Sequence, residues 1–383
     1  MPLQLSSIRL SDFRSYERFF IDGLQELTIF VGPNAVGKSN LLEAIQLTTA
    51  LASFRSATAE QLIHWGCNNA AIISEITDEK RRLEVKLLLD STGKHYLLNG
   101  KKTSVQSLHD TLPAVTFTPD DLQLVKGTPS QRRSALDALG CQLSTNYRSV
   151  KRDYEKILRQ RNQLLKEQAD ALLIDSVNEV FIKVGAQLCR YRLQIMEDLS
   201  NTFPGQYGHI ASNGEMATLS YSFSWEEALD NNSEGGPSQK MTPRFYSMSR
   251  EELQHEFADA LHRVADEERI RKRTLIGPHR DHLDFLLEGR PAQTYASQGQ
   301  QRSLAIAFKL SEFQLILDRR HQRPILLLDD VMSEIDARRR TYLMERLQDV
   351  SQTFITTTNL GYFTSEVLEQ AKVVQLPIMS ADM

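Results

Sequence analysis

Along the first third of the chain, apolar residues fall in the short alternating or continuous runs that strands require. Leu3, Leu5, Ile8 and Leu10 alternate with polar neighbours, and Leu27 to Val31 is an unbroken β-branched and aromatic run. Leu83 to Leu89 and His95 to Leu98 read as paired strands that continue through Asn99-Gly100, a dipeptide suited to the positive φ of a tight hairpin turn. Ala114 to Phe117 is a further strand, closed by Thr118-Pro119. This region is predicted to be sheet-rich.

The middle changes period. Between Ser144 and Gln168 there is neither Pro nor Gly, and Val150, Tyr154, Ile157, Arg161 and Leu164 recur at alternating four- and three-residue steps. That is a helix with one sticky stripe. Helical patterns also run from Ala171 to Leu199 and from Arg250 to Arg273, too short for a long coiled coil. The polar, Gly-containing stretch from Asn231 to Gln239 reads as a surface loop. After Thr274 strands and helices alternate again: strands at Leu283–Leu287, Pro324–Leu328, Thr353–Thr358 and Val373–Leu376, with helices at Gln300–Leu317 and Arg338–Leu347. The expected architecture is α/β, with a head made from residues 1–122 and 274–383 and a mainly helical arm, 123–273, inserted into it.

Composition narrows the class without selecting a function. With 41% hydrophobic and 25% charged residues in 383, the chain is an ordinary globular one. Forty-five Lys+Arg against 49 Asp+Glu exclude a histone-like polycation and leave local basic patches open. No apolar run is long enough to span a membrane, and Met1 to Leu10 lacks the basic and apolar segments of a signal peptide. Cys67, Cys141 and Cys189 stand far apart, in no zinc or disulfide spacing, which points to reduced thiols in the cytoplasm.

The strongest chemical signal is Gly32-Pro33-Asn34-Ala35-Val36-Gly37-Lys38-Ser39, preceded by the strand at Leu27–Val31 and followed by a helix-forming run. Strand, Gly-rich turn and helix N-terminus together form a phosphate-binding loop. Its glycines admit backbone N–H groups to the phosphates, Lys38 places a cation on the β/γ-phosphates, and Ser39 ligates Mg²⁺. The matching acidic strand is Ile325-Leu-Leu-Leu-Asp329-Asp330. Asp329 is expected to hold Mg²⁺, and Asp330 to orient or deprotonate the attacking water. Lys38, Asp329 and Asp330 are thus the candidate catalytic residues, and ATP with Mg²⁺ the candidate cofactors.

Ser297-Gln298-Gly299-Gln300-Gln301-Arg302, ahead of an apolar helix, resembles the signature motif of ABC-type ATPases. The same turn is also an ordinary helix cap. Phe13-Arg14-Ser15-Tyr16, Pro119-Asp120-Asp121-Leu122, the set Gly127, Pro129, Arg132, Arg133 and Asp137, the run Gly277 to Asp281, Asp329 to Asp336, and Thr356 to Asn359 extend the likeness. Together they resemble the RecF family over nearly the whole length.

That resemblance implies a P-loop ABC/SMC-like ATPase head with an inserted helical arm. It adds Arg14 to the nucleotide contacts, and it puts Ser297 and Gly299 on the γ-phosphate of a partner subunit in an ATP-dependent homodimer. It implies a slow ATPase that binds single- and double-stranded or gapped DNA and acts with RecO and RecR to load RecA in repair, replication restart and the SOS response. Ala135 and Ile335 depart from the family pattern without touching its charged positions. Asp330 stands where transporter ATPases carry Glu, and no Gln occupies an obvious Q-loop position, with Asp120 and Gln123 as the alternatives.

Local cations are the candidate DNA contacts: Arg148, Lys151 and Arg152, with Arg159 and Arg161, on the first arm helix, and Arg271, Lys272 and Arg273 at the end of the third. His279 and His282 offer too few ligands for a metal. Three other readings compete. A transporter ATPase subunit needs a clear Q-loop and a second signature glycine. A long-armed SMC head needs sustained heptads. A scaffold that binds ATP but scarcely hydrolyses it stays open.

Overall fold

Leu27–Val31 becomes an interior strand of a five-stranded parallel sheet. The sheet is ordered Lys372–Gln375, Leu27–Val31, Gln352–Thr357, Ile325–Asp329, Ala114–Phe117. Every residue of Gln352–Thr357, Ile325–Asp329 and Ala114–Phe117 is buried, as strands covered on both faces should be. The structure is a computed structural model; it describes residues 3–377 apart from 106, 109–111, 212–213, 227–243, 346–349 and 351. The expected loop at 231–239 lies outside the described residues, as does the end of the helix expected at 338–347.

A second sheet in the same unit is antiparallel. Its six strands run Tyr16–Ile21, Gln4–Phe13, Ala70–Thr77, Arg82–Asp90, Gly93–Leu98, Lys101–Thr103. Burial along Ala70–Thr77 alternates residue by residue, so one face is packed and the other is not. Asn99 and Gly100 take φ of 49° and 76° and turn the last hairpin, as expected. The helix Lys38–Thr49 shares a core with both sheets through Leu41, Leu42 and Ile45, all fully buried. Each such side chain contributes roughly 1.5–3 kcal/mol. Buried Gln352 ties the two sheets by polar bonds: its Oε1 accepts from Leu5 N at 2.8 Å and its Nε2 donates to Leu5 O at 2.9 Å.

The chain divides into two compact units, Met1–Asp120 with Ile316–Met383, and Asp121–Leu315. The second unit therefore extends past residue 273, where the arm was expected to end. The cause is pairing: His282–Leu287 does not join a head sheet, but lies antiparallel to Ala217–Ser222 in a separate three-stranded sheet with Arg290–Pro291. Helices Pro129–Leu143, Thr145–Lys166 and Ala171–Ala211 belong to this unit. Ser144 caps the second of these, its Oγ accepting from Tyr147 N at 3.3 Å. The third runs past Leu199 and through Pro204 to Ala211. The helix expected over Arg250–Arg273 breaks at Val264 into Arg250–Arg263 and Ala265–Arg271.

Candidate functional site

Close approaches fix the phosphate loop. Leu376 N donates to Val31 O at 2.8 Å, and a Cβ on Gly32 would stand 2.5 Å from Leu376 O. Gly37 has φ of 104°, and a Cβ there would lie 2.7 Å from Ser15 Oγ and 3.0 Å from Tyr16 Oη. Only glycine satisfies both demands. Tyr16 Oη donates to Gly37 O at 3.2 Å, and burial pushes its pKa upward. Pro33, Asn34, Ala35 and Val36 complete the turn, with Ala35 at φ 65°.

Lys38, only 6% exposed, donates from Nζ to the carbonyls of Gly32 and Pro33, each at 2.8 Å. Among the described residues no side chain caps the helix that follows, and its first turn holds no acid. Its N-terminal N–H groups and dipole are left for an anion.

Ser39 and Asp329 meet although 290 positions separate them. Ser39 Oγ donates to Asp329 Oδ1 at 2.8 Å, and Thr356 Oγ1 donates to the same oxygen at 2.8 Å. Asp330 sits at φ 52°, and its backbone N donates to Thr356 Oγ1 at 3.0 Å. The next strand's threonine thus orients both acids. Asp330 Oδ1 is buried and finds no hydrogen-bond partner among the described residues. Burial raises the Asp330 pKa, Lys38 opposes the rise, and Asp329 and Glu334 add to it. A carboxylate with an unused buried oxygen, beside a second carboxylate and a lysine, can accept a proton or hold a water.

Arg14, expected at the nucleotide, is held by the helix behind the loop. Its Nε and Nη2 donate to Glu43 at 2.9 and 3.0 Å, and Nη1 donates to Gln61 O at 2.8 Å. Glu43 is fully buried and also accepts from Ser53 Oγ at 2.6 Å. Glu43 and Thr356 are the site residues the sequence reading missed. An acid set among Leu41, Leu42, Ala44 and Ile45 was the sign the sequence held for Glu43.

In the second unit, Ser297 is exposed and caps the helix Gln298–Arg320. Its Oγ accepts from Gln300 N at 3.3 Å, and Gln300 Oε1 accepts from Ser297 N at 2.7 Å. This is the reciprocal cap. Gly299 lies in the first turn, its carbonyl accepting from Ser303 Oγ.

Other motif residues of this unit join Arg192 and Tyr221 in a buried ion network, in which Arg132 Nε is buried without a partner among the described residues. Arg192 Nε and Nη2 donate to Asp137 at 3.0 Å each, and Nη1 donates to Pro278 O at 2.5 Å. Asp281 accepts from Tyr221 Oη at 2.6 Å and Ser224 N at 3.0 Å. Arg133 donates to Asp281 O, and Arg132 to Asp284 at 3.0 Å. His279 Nδ1 meets Tyr154 Oη at 2.7 Å; burial and then Arg280 lower its pKa to about 3, so it is neutral at ordinary pH. Arg161 is not the surface cation the helical stripe suggested. It is 2% exposed and bonds Glu268 at 2.5 Å, Thr274 and Asn178.

The candidate DNA contacts differ in their freedom. Lys151 pairs with Glu155, Arg152 with Asp153, and Arg271 with Glu267, while Arg148 donates to Cys141 O. Lys272 and Arg273 are exposed, with no acidic partner among the described residues. No cluster of three or more His, Cys, Asp or Glu fit to hold a metal occurs there, and no described helix is long and apolar enough to cross a membrane.

Fold and site define a P-loop ATPase head of the ABC/SMC class. A family model described as the RecF/RecN/SMC N-terminal domain matches residues 4–376. The chain is 32% identical to the DNA replication and repair protein RecF of Lactobacillus johnsonii, over 98% of this chain and 97% of the relative. It is 34% identical to the RecF of a Cyanothece species, over 98% and 96%. A solved RecF–ATP complex, from work on the RecFOR pathway, superposes with TM-score 0.81 at 27% identity, covering 94% of each chain. An Smc head from Pyrococcus furiosus shares the fold alone, with TM-score 0.50 at 15% identity over 97% of this chain and 93% of the head. The chain belongs to the RecF family.

Proposed function

We propose that this chain is an ATP-driven, DNA-binding recombination mediator of bacterial DNA repair, acting in the cytoplasm as a slow ATPase. The observation that carries the ATPase reading is the buried Oδ1 of Asp330, without a partner among the described residues, set beside the Ser39–Asp329 bond and the phosphate loop. Lys38 binds the β/γ-phosphates, and the N–H groups of residues 32–39 bind the phosphate oxygens. Ser39 Oγ and Asp329 are the residues that hold Mg²⁺, which supplies positive charge to the transferring phosphoryl group. One hydroxyl and one carboxylate suit that ion, which keeps most of its waters and takes oxygens from phosphates. Asp330 orients the attacking water and accepts its proton. Being shorter than Glu, it supports slow turnover and a switch-like role.

Ser297 and Gly299 act in trans, on the γ-phosphate held by a second copy, so that ATP assembles a homodimer. Arg14 supports the loop from behind, through Glu43 on the helix that follows it. The dimer holds gapped DNA at a single-strand junction, hydrolysis releases it, and RecO and RecR carry the action on to RecA in repair, restart and SOS induction. Among the cations of the second unit, Lys272 and Arg273, at and just past the end of the helix Ala265–Arg271, are exposed for phosphate contact.

Retention of a gapped duplex, followed by fluorescence anisotropy, tests the reading. With ATP and Mg²⁺, wild type should bind and then release DNA as ATP is consumed, while Asp330→Asn should bind and stay. Equal binding with and without ATP overturns it.

A further inference from the structure

The antiparallel sheet of the first unit carries, on its unpacked face, one unbroken row of opposed residues. Phe20 faces Arg9, Arg9 faces Ile73, Ile73 faces Lys86, Lys86 faces Leu97, and Leu97 faces Lys102. Cations therefore stand on alternate strands, about 10 Å apart at roughly 4.8 Å per strand, with apolar side chains between them. Phe20 is 43% exposed, and the Arg9 guanidinium lies 4.9 Å from its ring centroid. Arg9 and Lys102 are exposed and Lys86 half-buried. None of the three has an acidic partner among the described residues. Arg18, exposed two residues along from Phe20, adds a fourth cation on one side. On the other side the neighbouring row is acidic: Glu75 faces Glu84, and Arg82 bonds Glu75 at 2.6 Å.

We infer that this row is a binding track for single-stranded DNA, running across the strands. The inference rests on the DNA-binding reading above and names a surface and a nucleic-acid form which that reading leaves open. Unpaired cations at regular spacing fit a polyanion. One basic row bordered by acids fits a single line of phosphates better than the two lines of a duplex. The Arg9–Phe20 stack offers a flat face to an unpaired base, which a duplex does not present. The charges are also mostly free, in contrast to the ion-paired Lys151, Arg152 and Arg271 of the second unit.

The test uses the full chain with ATP and Mg²⁺, an oligo(dT) of about 20 nucleotides and a blunt duplex of equal length, titrated by anisotropy across salt concentrations. In the triple variant Arg9→Gln, Lys86→Gln, Lys102→Gln, oligo(dT) affinity should fall about a hundredfold near 0.1 M salt. The salt slope should drop by about 2, at about 0.7 per lost phosphate contact. Duplex affinity should change several-fold less. Arg9→Lys, Lys86→Arg, Lys102→Arg should retain the wild-type slope, and nucleotide binding by both variants separates lost contacts from lost folding. An unchanged slope with oligo(dT) overturns the track. Equal losses on both DNAs overturn the single-strand assignment. If wild type binds neither DNA, the track and the DNA-binding reading fall together. If wild type binds and only the triple variant is indifferent, the track alone falls.

Discussion

The charged clusters around Arg192 in one unit and around Lys38 in the other treat their charges in opposite ways. Around Arg192, three side-chain nitrogens, two carboxylates, a tyrosine hydroxyl and a backbone carbonyl satisfy one another out of water. Around Lys38, Asp330 keeps a buried oxygen with no partner among the described residues, and Ser39 Oγ and Thr356 Oγ1 donate to the same oxygen of Asp329, Oδ1. Both clusters contain residues that the family motifs single out, Asp137, Pro278 and Asp281 in the first and Lys38, Asp329 and Asp330 in the second. Saturation marks the first as architecture, and incomplete satisfaction marks the second as a place where something else must bind. Motif membership alone does not distinguish scaffold from chemistry.

The largest effect should come from breaking the saturated cluster. Arg192→Met leaves Asp137 and Asp281 buried without their cation and should cost about 3–5 kcal/mol in urea unfolding. A cost below about 1 kcal/mol would erase the contrast. On the unsaturated side, Asp330→Asn should cut ATP turnover by about 100-fold or more while nucleotide affinity and unfolding midpoint stay near wild type. If stability fell as far as for Arg192→Met, Asp330 would belong with the scaffold.

A pH experiment sharpens the same line. The folded pKa of His279, about 3, lies below its ordinary 6.5. Between those values the unfolded chain binds a proton that the folded one refuses, so stability rises with pH there and is lost on acidification from about 6.5 toward 3. His279→Gln should flatten that dependence by up to about 1.4 kcal/mol per pH unit, measured as the difference between the two proteins' urea curves. Identical curves would remove His279 from the buried network. The smallest effect is expected at Arg152, which is 72% exposed beside Asp153. Arg152→Ala should shift DNA affinity by no more than about threefold.

Much of the site was legible because its signals are local. Glycine spacing, a five-residue apolar strand and two following acids need no knowledge of distant partners. The Asn99-Gly100 turn was readable for the same reason. What escaped was non-local. Arg161 fits a helical stripe equally well as a surface cation or a buried one, and the deciding partner, Glu268, lies 107 residues away. Leu283–Leu287 reads as a strand, but its sheet is chosen by Ala217–Ser222, whose alternation of Ala217, Leu219 and Tyr221 with Thr and Ser is itself a strand signal in the sequence. That pairing moved the unit boundary to Leu315. Arg14 was drawn to the nucleotide by family likeness, whereas Glu43, buried on the loop's own helix, takes up its guanidinium.

The central claim is that ATP bound at the phosphate loop joins two copies through Ser297. Light scattering of wild type, Lys38→Ala and Ser297→Ala, each with and without ATP and Mg²⁺, tests it most directly. The account predicts that the molar mass of wild type doubles with ATP, while Lys38→Ala stays monomeric for want of nucleotide and Ser297→Ala stays monomeric with nucleotide bound. A wild-type protein that remains monomeric under saturating ATP contradicts it.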